Sequence, residues 1–228
     1  YAIWAPHTYS IKYNSNGGSG YMSNQSITYD EETALKENQY SRTGYKFIGW
    51  STSTSGNVCY ANKETVINLS KVDGATINLY AVWEKIPIYT IRFYSNGGSG
   101  TMSNQVLEYD CSTELRLNTF TREGYTFCGW SRTATGDVVY SDAQTVINLT
   151  STDGAIVNLY AVWEPISYSI RFNANGGSGS MSNQSYTYGE TKTLTSNAFT
   201  RPGYVFTGWA TSATGSVVYT NSQSVKNL

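Results

Sequence analysis

One feature constrains this chain more than any other: it repeats. Asn16-Gly17-Gly18-Ser19-Gly20 returns at Asn96–Gly100 and again at Asn175–Gly179, a spacing of 80 and then 79 residues. Met22-Ser23-Asn24-Gln25 returns at Met102 and Met181. Gly44-Tyr45, Phe47 and Gly49-Trp50 return at Gly124–Trp130 and Gly203–Trp209. Leu79-Tyr80-Ala81-Val82-Trp83-Glu84 returns as Leu159–Glu164. Such a period exceeds the roughly 20–50 residues of solenoid repeats. Each unit is therefore expected to be a small domain with its own core, near the lower size limit for independent folding. The pattern divides the chain into residues 1–6, read as the last strand of a preceding repeat, then repeats over 7–84, 85–164 and 165–228, the third without its C-terminal strand. Only Glu84–Ile88 and Glu164–Ser167 connect the units, each with a proline, which restricts reorientation and predicts an elongated rod.

Within a unit the segments read as strands and turns. Tyr9–Tyr13 alternates large and polar residues with period 2, and the Asn-Gly-Gly-Ser-Gly stretch after it supplies positive-φ positions for a wide hairpin loop. Further strands are predicted at Gln25–Tyr29, Tyr45–Ser51 and Val58–Tyr60. Thr65–Leu69 reads as a helical turn or a loop, and Asp73-Gly74 turns the chain into a last strand, Thr76–Trp83. That strand is apolar on both sides, which suits a central, doubly covered position.

Composition excludes several functions. Charged residues make up 14% of the chain, against about 25% in ordinary globular proteins. With a formal net charge of -1 there is no electrostatic basis for nucleic-acid binding. No apolar stretch of about 20 residues is present to insert in a membrane as a helix. Abundant Ser, Thr, Asn and Gly with 20 Tyr favour strands and turns facing an outside medium over long helices. Sequons at Asn24, Asn68, Asn148 and Asn183 are glycosylation acceptors in a secreted protein of a glycosylating organism, although a chain this rich in Asn, Ser and Thr also produces them by chance.

The chemistry of enzymes is missing. His7 is the sole histidine and falls in a linker, so no His-based dyad, triad or multi-His metal site is available. Asp73 and Asp153 recur, but each precedes a glycine and reads as a turn residue. The glycine loops lack a following Lys-Ser/Thr and lead into strands, which rules out a phosphate cradle. No catalytic, cofactor-binding or metal-ligating residue is assigned, and no cofactor is expected. Trp50, Trp83, Trp130, Trp163 and Trp209 recur in strands and are read as core rather than as sugar-stacking platforms. Tyr21, Tyr40, Tyr94 and Tyr186 do not recur as Tyr, and are read as surface residues where sugar binding would first be sought. Cys59, Cys111 and Cys128 do not repeat; an odd count raises intermolecular pairing, but the favoured reading is a buried thiol at Cys59 with Cys111 and Cys128, both expected exposed, unpaired or paired within the second unit.

The run Thr121-Arg122-Glu123-Gly124-Tyr125-Thr126-Phe127-Cys128-Gly129-Trp130, followed by Leu159–Glu164 and preceded by the Asn-Gly-Gly loop, resembles the Listeria–Bacteroides repeat, also called the internalin B-repeat. The resemblance covers the whole chain. It implies a β-rich α+β fold, a tandem of small β-grasp-like (ubiquitin-like) domains, without enzymatic activity, in large secreted or wall-attached microbial proteins. The units here sit at the long side for that family.

Tyr1-Ala2-Ile3-Trp4 matches Tyr80–Trp83, and Val225–Leu228 matches Val66–Leu69. This suggests a window of a longer array, with completion of the third domain by a strand from another chain as the lesser reading. The expected function is an extracellular or cell-surface structural repeat protein, a stalk or filament. The alternative is an adhesin that recognises a glycan or a cell-surface protein through loops such as Asn16–Gly20. Expected partners are neighbouring repeats, further copies in a filament, or a glycan or cell-surface receptor.

Overall fold

The computed structural model describes residues 1–228, and all of its regular structure is β. The first repeat contains β1 (Thr8–Asn14), β2 (Gln25–Thr28), β3 (Thr33–Ala34), β4 (Tyr45–Ser51), β5 (Thr65–Val66) and β6 (Thr76–Lys85). The second reproduces them as β7 (Ile88–Tyr94), β8 (Gln105–Glu108), β9 (Thr113–Glu114), β10 (Tyr125–Ser131), β11 (Thr145–Val146) and β12 (Ile156–Pro165). The third forms β13 (Ser167–Ile170), β14 (Gln184–Thr187), β15 (Thr191–Thr193) and β16 (Ser224–Lys226).

Two compact units can be distinguished. The first comprises Tyr1–Tyr89 with Glu108–Asp110 and Thr150–Ala155, and the second Thr90–Leu107, Cys111–Leu149 and Ile156–Leu228. In the first, a four-stranded sheet has the order β2-β1-β6-β4. β1 pairs antiparallel with β2 and parallel with β6, and β4 runs antiparallel to β6. Alternation in β1 sends Tyr9, Ile11 and Tyr13 inward to meet Ile27, Leu35, Tyr40, Trp50, Leu79 and Ala81. Burying a large apolar side chain of this kind contributes roughly 1.5–3 kcal/mol. β6 is central, as its apolar run predicts, but one face alone is fully covered: Leu79 and Ala81 are buried while Tyr80 and Val82 remain half-buried.

The pairing of β4 with β6 shifts between Phe47 and Gly49. At that bulge Gly49 has φ +149°, and a Cβ there would lie 2.5 Å from Val58 Cγ1 and 2.7 Å from Tyr60 O. Only glycine lets the returning segment cross so close to the strand. Val58–Tyr60, expected as a strand, is held instead by a single bridge between Tyr60 and Trp50. Thr65-Val66, expected in a turn or loop, pairs with Thr33-Ala34 as the two-stranded ribbon β3-β5.

In the second repeat the sheet β8-β7-β12-β10 has the same strand order, and in the third β13 pairs with β14. Phe172, Tyr186, Leu194 and Val225 form the buried core of the third repeat.

The expected β-rich α+β, β-grasp-like (ubiquitin-like) fold is incorrect: the chain is all-β, with curled half-barrel sheets and no helix. The parallel pairing of first and last strands looks like the grasp arrangement, but the segment that would have to form its helix cannot. In the third repeat it reads Thr191-Lys192-Thr193-Leu194-Thr195-Ser196-Asn197, rich in β-branched and backbone-competing residues. Each repeat offers one buried leucine there, Leu35, Leu115 or Leu194, rather than the 3-4 spaced stripe a packed helix needs. Asn38, Asn118 and Asn197 then turn the chain by bonding the backbone N–H of Tyr40, Phe120 and Phe199.

A glutamine side chain ties this crossover to the sheet. Gln25 Nε2 donates to Ala34 O (2.8 Å) while its Oε1 accepts from Lys36 N (3.1 Å). Gln105 bonds Glu114 O and Arg116 N in the same way, as Gln184 does Thr193 O and Thr195 N.

Candidate functional site

The most complete constellation of recurrent polar and aromatic residues gathers where the Asn-Gly-Gly loop meets the end of the central strand. Asn16 sits at φ +46°. Its Nδ2 donates to Thr54 O and Ala81 O, both at 2.9 Å. Trp83 donates Nε1–H to Ser15 O (2.9 Å), and its ring fills the space over Gly18, where a Cβ would come within 2.7 Å of Cζ2. The Arg42 guanidinium stacks 3.8 Å from the centroid of Tyr45, on the flank of Gly17. Phe47 bridges Trp83 and Trp50 edge to face, at 5.7 and 4.9 Å.

Every element recurs in the second repeat. Asn96 reaches Ala134 O and Ala161 O, Trp163 reaches Ser95 O, and Arg122 lies 3.8 Å over Tyr125. In the third repeat Asn175 reaches Ala213 O and Arg201 stacks on Tyr204. The donors of these loops point into their own repeat. Asn, Arg, Tyr and Trp in this geometry supply neither nucleophile nor base, and no group of three or more His, Cys, Asp or Glu side chains is placed to hold a metal.

The surface tyrosines are only partly as expected. Tyr21 is 81% exposed, and Tyr94 stacks on Tyr160 with centroids 4.8 Å apart. Tyr40 and Tyr186, expected at the surface, are buried. Tyr40 donates its hydroxyl to Tyr13 O (2.8 Å). Tyr186 takes the core position of Ile27 and Leu107, and its hydroxyl has no partner. What recurs at both positions is a large apolar surface, which comparison by residue identity overlooks. Burial pushes both phenols above their ordinary value.

Tyr21 borders a shallow groove of about 500 Å³ on the first repeat, together with Lys12, Asn14, Asn24 and Tyr80. Tyr80 was missed because an apolar strand in sequence looks covered on both sides; the outward alternation of β6 is the signal that finds it.

Trp50 and Trp130 are wholly buried, and Trp83, Trp163 and Trp209 half-buried against other rings. Cys59, Cys111 and Cys128 are all free and exposed, so the expected burial of Cys59 is incorrect. It follows Val58 on an irregular segment that covers the sheet edge without a second layer over it. Backbone hydrogen bonding at Thr52 holds the Cys59 thiol below its ordinary value. Asn24 and Asn183 are exposed, whereas Asn68 is turned to φ +54° and bonds Asp30 through both side-chain atoms.

His7 stacks on Tyr29 at 4.7 Å. Asp73 and Asp153 do more than turn the chain: their carboxylates accept the backbone N–H of Thr8 (3.3 Å) and Ile88 (3.1 Å). Asp153 also pairs with Lys85. The linker is itself paired, Ile86 N donating to Gly44 O and Pro87 O accepting from Tyr109 N.

These features define an all-β tandem-repeat module whose recurrent residues hold the repeat together. The chain belongs to the Listeria-Bacteroides repeat domain family, whose model matches residues 9–82, 89–162 and 168–228. Two relatives come from Evansella cellulosilytica. One, provisionally named a membrane protein, is 30% identical over 211 residues, covering 92% of this chain and 29% of the relative. The other, provisionally named a Gly-rich membrane protein, is 33% identical over 182 residues, covering 74% of this chain and 19% of the relative. The chain thus spans less than a third of the length of either.

Proposed function

We propose that this chain is a non-enzymatic segment of a large extracellular or cell-surface protein, in which repeats at 7–84, 85–164 and 165–228 serve as the building modules of a stalk or filament. The observation that carries the reading is the loop-to-strand lock, built from the same residue types in the first two repeats and kept in part in the third, with its donors directed inward. Residues that recur for packing support a role in extension and display rather than in turnover. The names of the two relatives agree with a membrane-associated location. The test is surface labelling of intact cells with an antibody to this segment, followed by electron microscopy of the native protein. Label confined to the cell interior would overturn the reading.

A second reading, adhesin-type recognition of a glycan, draws on the groove between Tyr21 and Tyr80. Aromatic faces beside Asn and Lys side chains suit a sugar's apolar face and hydroxyls. Glycan-array binding lost in Tyr21→Ala and Tyr80→Ala would support it, and no binding by the parent chain would end it.

A further inference from the structure

The outward faces of the first and second repeats differ at one spot on the central strand. In the second, Tyr94 of β7 pairs in register with Tyr160 of β12, and their rings stack with centroids 4.8 Å apart and planes 14° from parallel. In the first, Asn14 stands in the place of Tyr94, beside Tyr80. No ring covers Tyr80, and Asn14 and Tyr80 border the groove of about 500 Å³. Across it stands Tyr21, exposed, where the second repeat has Thr101. The second repeat thus shows what a tyrosine at this position holds: a flat apolar face laid nearly parallel on its ring.

The polar groups of the groove are unspent. Asn14 uses its Nδ2 on Asn78 Oδ1 (3.4 Å) and Leu79 O (3.2 Å), and its Oδ1 makes no bond. Asn24 is exposed, and only its backbone carbonyl is bonded, by Lys36. Lys12 is the one charged residue on the border of the groove, with no carboxylate beside it there. It is exposed and belongs to none of the ion pairs, in which Lys46, Lys63, Lys85 and Lys192 are the cations.

We infer that this groove binds a uronic-acid residue of an acidic polysaccharide, with the sugar ring on Tyr80 and the carboxylate on Lys12. A hexuronate matches each feature. Its ring C–H groups offer Tyr80 an apolar face, and its hydroxyls donate to Asn14 Oδ1 and bond the Asn24 amide. Its carboxylate accepts a charge-assisted bond from Lys12 Nζ. A single lysine with no second basic residue on the border suits one carboxylate rather than a densely sulfated sugar. The volume falls within the roughly 300–1,000 Å³ of small-molecule sites. In the second repeat Tyr94 occupies the ligand's place, so that repeat is closed to the same sugar.

The inference rests on the glycan reading above and names the sugar class for that groove. The test is isothermal titration calorimetry of the 228-residue chain with tetramers of galacturonic, glucuronic and mannuronic acid. Each is compared with its fully methyl-esterified form, which keeps the ring and hydroxyls but carries no charge. The expected result is that at least one acid binds about fivefold more tightly than its ester, the upper end for an exposed ion pair. Lys12→Gln, a change at an exposed side chain, should bring the acid down to the affinity of the ester. Asn14→Tyr rebuilds the stack of the second repeat and should abolish binding of both forms, while a circular dichroism melt shows the fold retained. Equal binding of acid and ester, or a preference that survives Lys12→Gln, would overturn the uronate assignment and leave the glycan reading standing. Binding untouched by Asn14→Tyr would place the sugar outside the groove and overturn the inference as well. Binding of neither form would also overturn it, and the glycan array then decides whether the wider reading falls too.

Discussion

Trp83 lies against Gly18 so closely that a single added carbon on the glycine would stand 2.7 Å from the indole ring and 2.9 Å from Ser41 O. One of those neighbours is backbone, so the clash cannot be relieved by a rotamer change alone. Gly18→Ala is expected to cost about 1–3 kcal/mol, the range for overpacking a filled site, read as a lower urea midpoint with unchanged slope. An unchanged midpoint would show that Trp83 is not held against the loop.

Asn16 combines a positive φ with two side-chain bonds, so its substitutions separate the two roles. Asn16→Gly keeps the backbone geometry and removes both bonds, at about 1 kcal/mol each. Asn175→Gly removes one bond and should cost about half as much, on the same per-bond scale. Equal losses at the two sites, measured by chemical denaturation, would contradict this account.

Tyr40 and Tyr186 predict opposite signs for one substitution. Tyr40→Phe deletes a 2.8 Å bond to Tyr13 O and should destabilise by about 1 kcal/mol. Tyr186→Phe removes a buried hydroxyl with no partner and should be neutral or stabilising, by up to about 1 kcal/mol. Differential scanning calorimetry of the two variants checks both.

The Lys85–Asp153 pair predicts a pH dependence. The hydrogen bond from Lys85, followed by that from Ile88 N–H, holds the Asp153 carboxyl below the ordinary carboxylate value, and the pairing raises Lys85. A depressed carboxyl stabilises the fold above its unfolded value, and that contribution is lost as pH falls through the folded value. The raised lysine contributes fully below its own unfolded value, and its share is lost as pH rises through the folded one. The pair is therefore at full strength across the neutral range. In a carbon-detected NMR titration Lys85→Met should move the Asp153 midpoint upward; no movement would remove the lysine as a cause.

Much of the repeat was legible in the sequence. Period-2 alternation located β1, the strands expected at Gln25–Tyr29 and Tyr45–Ser51 form as β2 and β4, and the unbroken apolar run located β6 at the centre of its sheet. The short ribbon β3-β5 was not legible, because two-residue strands have no period to detect. Tyr40 and Tyr186 were misplaced because comparing residue names between repeats hides the fact that Phe120, Phe199, Ile27 and Leu107 serve the same packing.

By itself, the sequence determined that this chain is a tandem array of like units, and where the longer strands β1, β2, β4 and β6 of a unit fall. Those properties follow from composition and periodicity, which are local. Only the tertiary structure decided that the unit is all-β rather than helix-backed, since a lone leucine and an Asn-centred turn matter only once the crossover has a sheet to lie on. It alone aimed Asn16 at Ala81 and seated Trp83 on Gly18. These partners are 65 residues apart along the chain, and nothing short of the folded sheet brings them together.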